Sequence, residues 1–209
     1  MEEVKYEKIK IKSNKFKESK ELIFAWIAIS ICFTFVLGDF NIFNKNLISN
    51  FNSINFFTLL GISLIVTGSS FILHELAHKY TAIYFGAKAQ FMMWKKSLLF
   101  SIILAFILGF VFVAPGAVYI FGKRLSLKED GIVSLAGPIT NILIGFIFVL
   151  LAMFGITGAV ISYGIFINFW IAFFNLIPFG PLDGKKILQW NPIIWIIMTA
   201  VPVLFLFVL

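Results

Sequence analysis

Two histidines and one glutamate stand together in the stretch FILHELAHKY, residues 71–80. They are His74, Glu75 and His78, and the chain has no other histidine. Residues four apart share one face of a helix, so His74 and His78 can offer nitrogens to a single metal ion. Glu75 lies one position further round, near such a metal without having to bind it. This HExxH spacing is typical of sites where two histidines hold zinc and the carboxylate takes a proton from an activated water.

The surroundings of these three residues are strongly apolar. Apolar residues make up 60% of the chain and charged residues 13%, whereas a soluble domain has roughly a quarter charged residues. The composition therefore predicts an integral membrane protein. Ionisable groups inside a membrane are costly to bury and usually functional. That cost favours a metal site over the alternative, in which the polar residues end a helix at the interface and face water.

A third metal ligand is expected, because hydrolytic zinc sites take three protein ligands and leave a fourth position open for water. The chain has only ten acidic residues, and five of them lie within residues 1–21. Asp183 is the one acid at the end of an apolar helix, in the stretch NLIPFGPLDG. Pro178 and Pro181 would end that helix. Asp183 is therefore the candidate third ligand, although in isolation it would also fit an ordinary turn aspartate before glycine.

Three motifs follow one another along the chain. They are HELAH at 74–78, GPITN at 137–141, and NLIP at 175–178 followed by LDG at 182–184. Motifs of these types in this order resemble the signatures of the site-2 protease family of intramembrane zinc metalloproteases. The resemblance covers about residues 67–186. No PDZ-like insertion and no C-terminal nucleotide-binding pair is recognisable, which favours a minimal prokaryotic or archaeal type of member.

The resemblance implies a role for each polar residue of the motifs. It implies one zinc ion per chain, bound by His74, His78 and Asp183, with Glu75 as general base. For Asn141 it implies contact with the substrate or with the reacting carbonyl. Asn175 is a weaker candidate for the same contact. Both asparagines would also be explained by hydrogen bonds between helices.

Six apolar segments give the expected architecture. Apolar runs of about 18 residues or more predict membrane spans, and the segments are 22–37, 56–86, 97–121, 131–153, 156–179 and 191–209. They predict an all-α polytopic membrane protein with about five transmembrane helices and one re-entrant helix with an extended portion, arranged around an intramembrane zinc site. Residues 1–21 would form a basic cytoplasmic tail. Residues 22–209 would form a single transmembrane domain with its core at 56–186.

The distribution of basic residues predicts how the segments cross the membrane. The tail before the first span holds seven lysines, so the N-terminus is expected in the cytoplasm. His74 then lies about 27 Å along the second span, in the cytoplasmic part of the bilayer. If residues 97–121 crossed fully, Asp183 would end on the opposite side from the histidines. A segment that dips in and returns, extended around residues 111–120, keeps the ligands together and leaves only Lys45 outside.

The function predicted from these features is intramembrane proteolysis. A multi-pass zinc endopeptidase of the cell membrane would act on transmembrane protein substrates, and an extended segment beside its site could pair with a substrate strand. The net charge of +7 fits basic residues that flank spans near anionic lipid, and nucleic acid is not expected as a partner. The competing hypotheses are a zinc or proton carrier and a catalytically silent relative. A carrier would place ionisable residues along a whole path, and a silent relative usually lacks the glutamate or a ligand.

Overall fold

The computed structural model describes residues 15–44, 53–112 and 115–208. Most of these residues are helical, and two short strands pair with each other. The helices are α1 Lys15–Leu37, α2 Ser53–Thr67, α3 Leu73–Tyr84, α4 Lys95–Leu108, α5 Leu127–Met153, α6 Ala159–Leu176, α7 Asp183–Trp190 and α8 Pro192–Phe207. A π-helical turn, Gly68–Ile72, joins α2 to α3 without a break. The strands are β1 Lys88–Met93 and β2 Gly116–Phe121.

Four helical stretches in the described part of the chain are long and apolar enough to cross a membrane. They are Phe16–Leu37, Asn55–Tyr84, Leu127–Met153 and Ala159–Leu176, and α8 is a shorter apolar helix. Helices suit lipid because every backbone polar group is satisfied within the segment. On α5 the outward side chains Leu143, Ile147 and Leu150 are more than half exposed, as expected for a face in contact with lipid. The prediction of an all-α polytopic membrane protein is confirmed.

The first helix begins earlier than the predicted span. Helix α1 starts at Lys15, so part of the segment predicted as a tail is helical. Residues 1–14 and Lys45 of the predicted outer loop lie outside the described residues. The remaining helices lie within a few residues of the predicted spans, apart from the short α7, which no predicted segment covers.

Helix α5 is the centre of the bundle and packs against α3, α6 and α7. Its close approach to α6 depends on small residues. A Cβ atom at Gly145 would lie 2.9 Å from the ring of Phe169 on α6, and small residues at helix contacts are typical of membrane proteins. Helix α1 packs on the other side, against α2, α4 and β1. The α3 and α5 helices, which carry two of the three motifs, are thereby held side by side.

The segment between β1 and β2 leaves the sheet and returns to it. Helix α4 has 14 residues, or about 21 Å, which is shorter than the roughly 30 Å hydrocarbon core. Gly109, in the left-handed conformation with φ 64°, ends α4 and reverses the chain. At the start and finish of the segment, the Trp94 N–H donates to the Pro115 carbonyl at 2.8 Å. The two ends therefore meet, which is the path predicted for this segment.

The two strands form an antiparallel pair whose register is Lys88 opposite Phe121 and Met93 opposite Gly116. Strand β2 overlaps the predicted extended portion but runs one residue beyond it. Strand β1 was not predicted. Its six residues come directly after a long apolar helix, and so short a stretch cannot be distinguished by its pattern from the end of that helix. Pro115, which cannot donate a backbone hydrogen bond, stands just before β2 and accepts one from the Trp94 N–H.

Single-cysteine labelling tests which way the segments run. Lys96 and Lys128 flank the α4–β2 segment, Thr157 lies beyond α5, and all three residues are exposed. In a Cys32→Ser background, an impermeant thiol reagent added to sealed cells should label cysteine at position 157 and leave 96 and 128 unlabelled. The physical reason is the excess of basic residues on the side where the segment begins and ends. Labelling of 96 and 128 from opposite sides would contradict the return of this segment.

Candidate metal centre

The HELAH stretch starts just after an irregular turn of helix. In the π-helical turn Gly68–Ile72 the wider winding leaves carbonyl groups accessible to other donors, and such turns are frequent at functional sites. Here the Ser70 carbonyl accepts a hydrogen bond from Asn141 Nδ2 on α5, at 3.1 Å. The turn is thereby tied to α5 directly before the two histidines.

His74, His78 and Asp183, the three candidate ligands, converge on one point. The two imidazole Nε2 atoms lie 2.9 Å apart. Asp183 Oδ2 lies 3.1 Å from His78 Nε2 and 3.4 Å from His74 Nε2. The histidines are buried, with 2% and 7% exposed, and the Asp183 side chain is 17% exposed. These three side chains form the group in the described residues that could hold a metal ion.

The hydrogen bonds behind the histidines determine which nitrogen faces the centre. His74 Nδ1 lies 2.6 Å from Asn141 Oδ1, and His78 Nδ1 lies 2.7 Å from the Val133 carbonyl. Both partners are oxygens that accept, so each Nδ1 carries the proton and each Nε2 presents a lone pair. Two lone pairs and a carboxylate oxygen within about 3 Å repel one another unless a cation lies between them. The donor set of two imidazoles and one carboxylate is one that zinc takes.

Asp183 reaches the histidines because α7 starts immediately beneath them. It is the first residue of α7, where a carboxylate also faces the positive end of the helix dipole. The next residue, Gly184, packs so closely on the end of α6 that a Cβ atom would lie 2.0 Å from the Leu176 carbonyl.

Glu75 lies beside the same point without joining the ligand cluster. Its side chain is 8% exposed, and within the described part of the chain its Oε2 has no hydrogen-bond partner. Glu75 lines a cavity of about 80 Å³ together with the three ligands and with Pro115, Gly116 and Val118 of the returning segment. The cavity has room for water molecules. A buried carboxylate oxygen that is left free at a small cavity can accept a proton from such water.

The two asparagines of the motifs occupy different positions. Asn141 is fully buried and lies behind His74, so its side chain contacts a ligand and does not line the cavity. Asn175 lines the cavity, and its Nδ2 donates to the Ile171 carbonyl at 3.0 Å. A substrate contact therefore stays a prediction for both residues, and Asn175 is the better placed of the two.

Two residues of the centre were not predicted from the sequence. Gly137 lies directly against the imidazoles, because a Cβ atom there would be 2.3 Å from His78 Nε2 and 2.5 Å from His74 Nε2. Asn168 on α6 accepts from Asn141 Nδ2 at 3.3 Å and donates to the Gly164 carbonyl at 2.8 Å. The GPITN motif contains Gly137, so the motif could have drawn attention to this residue. For Asn168 the sequence offers one signal, a polar residue within an otherwise apolar helix.

Gly137→Ala is expected to lower metal affinity by about tenfold or more, because the added methyl group would displace the imidazole nitrogens. Metal content and the zinc dissociation constant of the purified protein are the measurements. Gly61→Ala is the matched control, since a Cβ atom at Gly61 meets no atom within 4 Å. Unchanged zinc affinity in Gly137→Ala would show that the metal does not sit against α5.

Asn168→Leu is expected to weaken zinc binding by about tenfold, the lower end of the range for residues that orient a ligand. The leucine removes the acceptor that helps to hold the Asn141 amide, and through it the orientation of His74. Asn168→Asp keeps an acceptor oxygen and should bind zinc more tightly than Asn168→Leu. Equal zinc affinities in these two variants and the unaltered protein would contradict the role assigned to this hydrogen bond.

The sequence is similar to those of other proteins along much of its length. It is 43% identical over 141 residues to "Putative zinc metalloprotease MJ0611" of Methanocaldococcus jannaschii, which covers 66% of this chain and 74% of that protein. It is 36% identical over 153 residues to "Putative zinc metalloprotease YwhC" of Bacillus subtilis, which covers 62% and 67%. It is 30% identical over 167 residues to "Zinc metalloprotease MJ0392" of Methanocaldococcus jannaschii, which covers 78% and 42%. No protein-family profile and no solved structure matches the chain. With this identity over about two thirds or more of the first two relatives, the chain belongs to the same family of zinc metalloproteases.

Proposed function

We propose that this protein is an intramembrane zinc metalloprotease, of the site-2 protease type, that hydrolyses peptide bonds within or near transmembrane segments of membrane proteins. The observation that carries the proposal is the convergence of three ligand atoms beside the buried Glu75, whose Oε2 has no hydrogen-bond partner among the described residues, within a bundle of membrane-length helices. The family supports zinc and proteolysis. The placement of the centre among apolar helices supports a substrate that is itself in the membrane.

Each residue of the centre has one task in this reaction. His74, His78 and Asp183 would hold one zinc ion, which supplies Lewis-acid activation of water and of the scissile carbonyl when bound. Glu75 Oε2 accepts the proton from water as the new carbon–oxygen bond forms. The same oxygen then returns that proton to the leaving nitrogen as the carbon–nitrogen bond breaks. Asn175, on the cavity wall, can donate its free amide hydrogen to the oxygen of the reacting carbonyl.

The substrate has to be extended where it is cut. A helical peptide shields its amide groups in its own hydrogen bonds, so a transmembrane helix must unwind locally before a carbonyl reaches the centre. Strand β2 lines the cavity and offers a backbone with which an unwound segment can pair. Water and substrate would meet at this cavity, on the cytoplasmic side of a multi-pass protein whose N-terminus is cytoplasmic. Lys186, which lines the cavity and contacts Asp130 at 3.0 Å, is placed at its rim.

Cleavage of a test substrate with one transmembrane segment, by purified protein in detergent, tests the proposal. The unaltered protein should cleave it, and a zinc chelator should stop cleavage. Glu75→Gln should keep full zinc occupancy and lose about 10²- to 10⁴-fold in rate, because the water then lacks its base. Asp183→Ala should lose both zinc and activity.

Two outcomes would overturn the proposal. Cleavage by Glu75→Gln at the unaltered rate would mean that another group is the base or that the activity belongs to a contaminant. Zinc-loaded protein that binds the substrate but never cleaves it would favour the silent relative considered from the sequence. Metal content, measured for each variant, separates loss of the ion from loss of the base.

A further inference from the structure

The outer edge of strand β1 is closed by carboxylates from helix α1. Backbone N–H groups two residues apart along a strand point to the same side. On β1 the Phe91 N–H donates to Glu18 Oε1 and the Met93 N–H donates to Glu21 Oε2, each at 3.0 Å. Glu18 and Glu21 stand three residues apart, on one face of α1. Side chains of a helix thus take the place of a third strand at this edge.

These two hydrogen bonds also decide which groups of β2 are free. In an antiparallel pair, opposite residues alternate between those that exchange hydrogen bonds and those that do not. Phe91 and Met93 direct their N–H groups to α1, so their partners Val118 and Gly116 direct their own backbone groups away from β1. Those backbone groups form the second edge of the sheet. Both residues line the cavity that contains Glu75, so the edge beside the reaction centre is the open one.

Glu18 additionally connects the sheet to the metal-binding helix. Its Oε1 accepts from Lys79 Nζ at 2.6 Å, and Lys79 follows His78 directly on α3. The Glu18 residue is buried, with 9% exposed. A buried carboxylate is costly unless it is paired, and here it is paired with two elements at once. Helix α1, strand β1 and helix α3 are therefore joined at a single oxygen atom.

We propose that Glu18 and Glu21 are positioning residues that set the register in which a peptide substrate lies against the centre. They close the edge of β1 to peptide and hold the sheet at a constant distance from the histidines. A substrate strand then pairs only along β2, and the bond opposite Glu75 is the one that is cut. This inference rests on the proposed proteolytic function and adds to it the two residues that confine the substrate to β2.

The test compares variants that keep or remove the acceptor oxygen. Glu21→Leu removes it, and Glu21→Gln keeps it; Glu18→Leu and Glu18→Gln form a second pair. Lys20→Leu is the control, because Lys20 is exposed on the same turn of α1. KM, kcat and the cleaved bond, located by mass spectrometry, are measured on the test substrate with one transmembrane segment. Zinc affinity and melting temperature are measured alongside.

We expect the leucine variants to raise KM about two- to tenfold, the effect of one lost hydrogen bond, and to cut at neighbouring bonds as well as the main one. Glu21→Gln should restore both KM and the single cut, and Lys20→Leu should change neither. Zinc affinity should stay within about twofold of the unaltered protein in Glu21→Leu. A residue that served only to stabilise the fold would lower the melting temperature and kcat without moving the cleaved bond.

Crosslinking provides a readout that does not depend on cleavage. In a Glu75→Gln, Cys32→Ser background, cysteine at Val118 should form a disulfide with substrate cysteines at alternate positions of one short segment. Glu21→Leu should spread these crosslinks over additional positions. If KM, the cleaved bond and the crosslink pattern all match the unaltered protein in Glu18→Leu and Glu21→Leu, the inference is wrong. Crosslinks in the expected pattern, together with no cleavage by the unaltered protein, would instead overturn the proposed function alone.

Discussion

Two imidazole lone pairs and one carboxylate oxygen face a common point within a membrane protein, and the rest of the structure depends on that repulsive arrangement. In water such groups could turn outward and be hydrated. Among apolar helices they cannot, so the surrounding structure has to hold them in place and a cation has to lie between them. Zinc meets this need and also provides the chemistry of the family. The same groups that would destabilise the bundle without an ion are therefore compatible with it when one is bound.

Holding the ligands requires contacts from each neighbouring element. Helix α5 supplies the Val133 carbonyl and the Asn141 amide, which fix the orientation of the two imidazoles, and Gly137, which leaves room for them. The π-helical turn supplies the Ser70 carbonyl that orients Asn141 in return. The common effect of these groups is that little has to be reorganised when a metal ion binds, which is the usual role of groups behind a ligand.

The two strands and the segment between them are subject to a second physical constraint. Within a membrane, backbone that is not helical survives only where protein or a cavity satisfies its polar groups. Strand β1 has β2 on one side and the carboxylates of α1 on the other, whereas β2 has β1 on one side and the cavity on the other. The backbone groups of β2 that point away from β1 therefore lie on the side of the cavity. An open strand edge favours pairing with another chain, and this one lies beside the candidate metal centre.

Local and compositional properties of the sequence were enough to predict the membrane environment, the helical segments and the candidate metal ligands. Both signals are local in the sequence. A long apolar run predicts a membrane span, and two histidines four residues apart share one face of a helix, independently of how the rest of the chain folds. The scarcity of acidic residues, together with the place of Asp183 at the end of an apolar helix, made Asp183 the candidate third ligand. The distribution of basic residues and the need to bring Asp183 to the histidines together predicted that the segment after α3 leaves the membrane on the side where it enters.

Only the tertiary structure decided the contacts between residues distant in the chain. Asn141 and Asn168 are 27 positions apart, and Glu18 and Phe91 are 73 positions apart. No local pattern records such a pair, because either residue alone would serve equally well in a helix interface or a cap. Strand β1 likewise exists because β2 returns beside it, and Gly137 matters because two imidazoles of another helix lie against it. Propensity and periodicity describe one element at a time, whereas these features arise where elements meet.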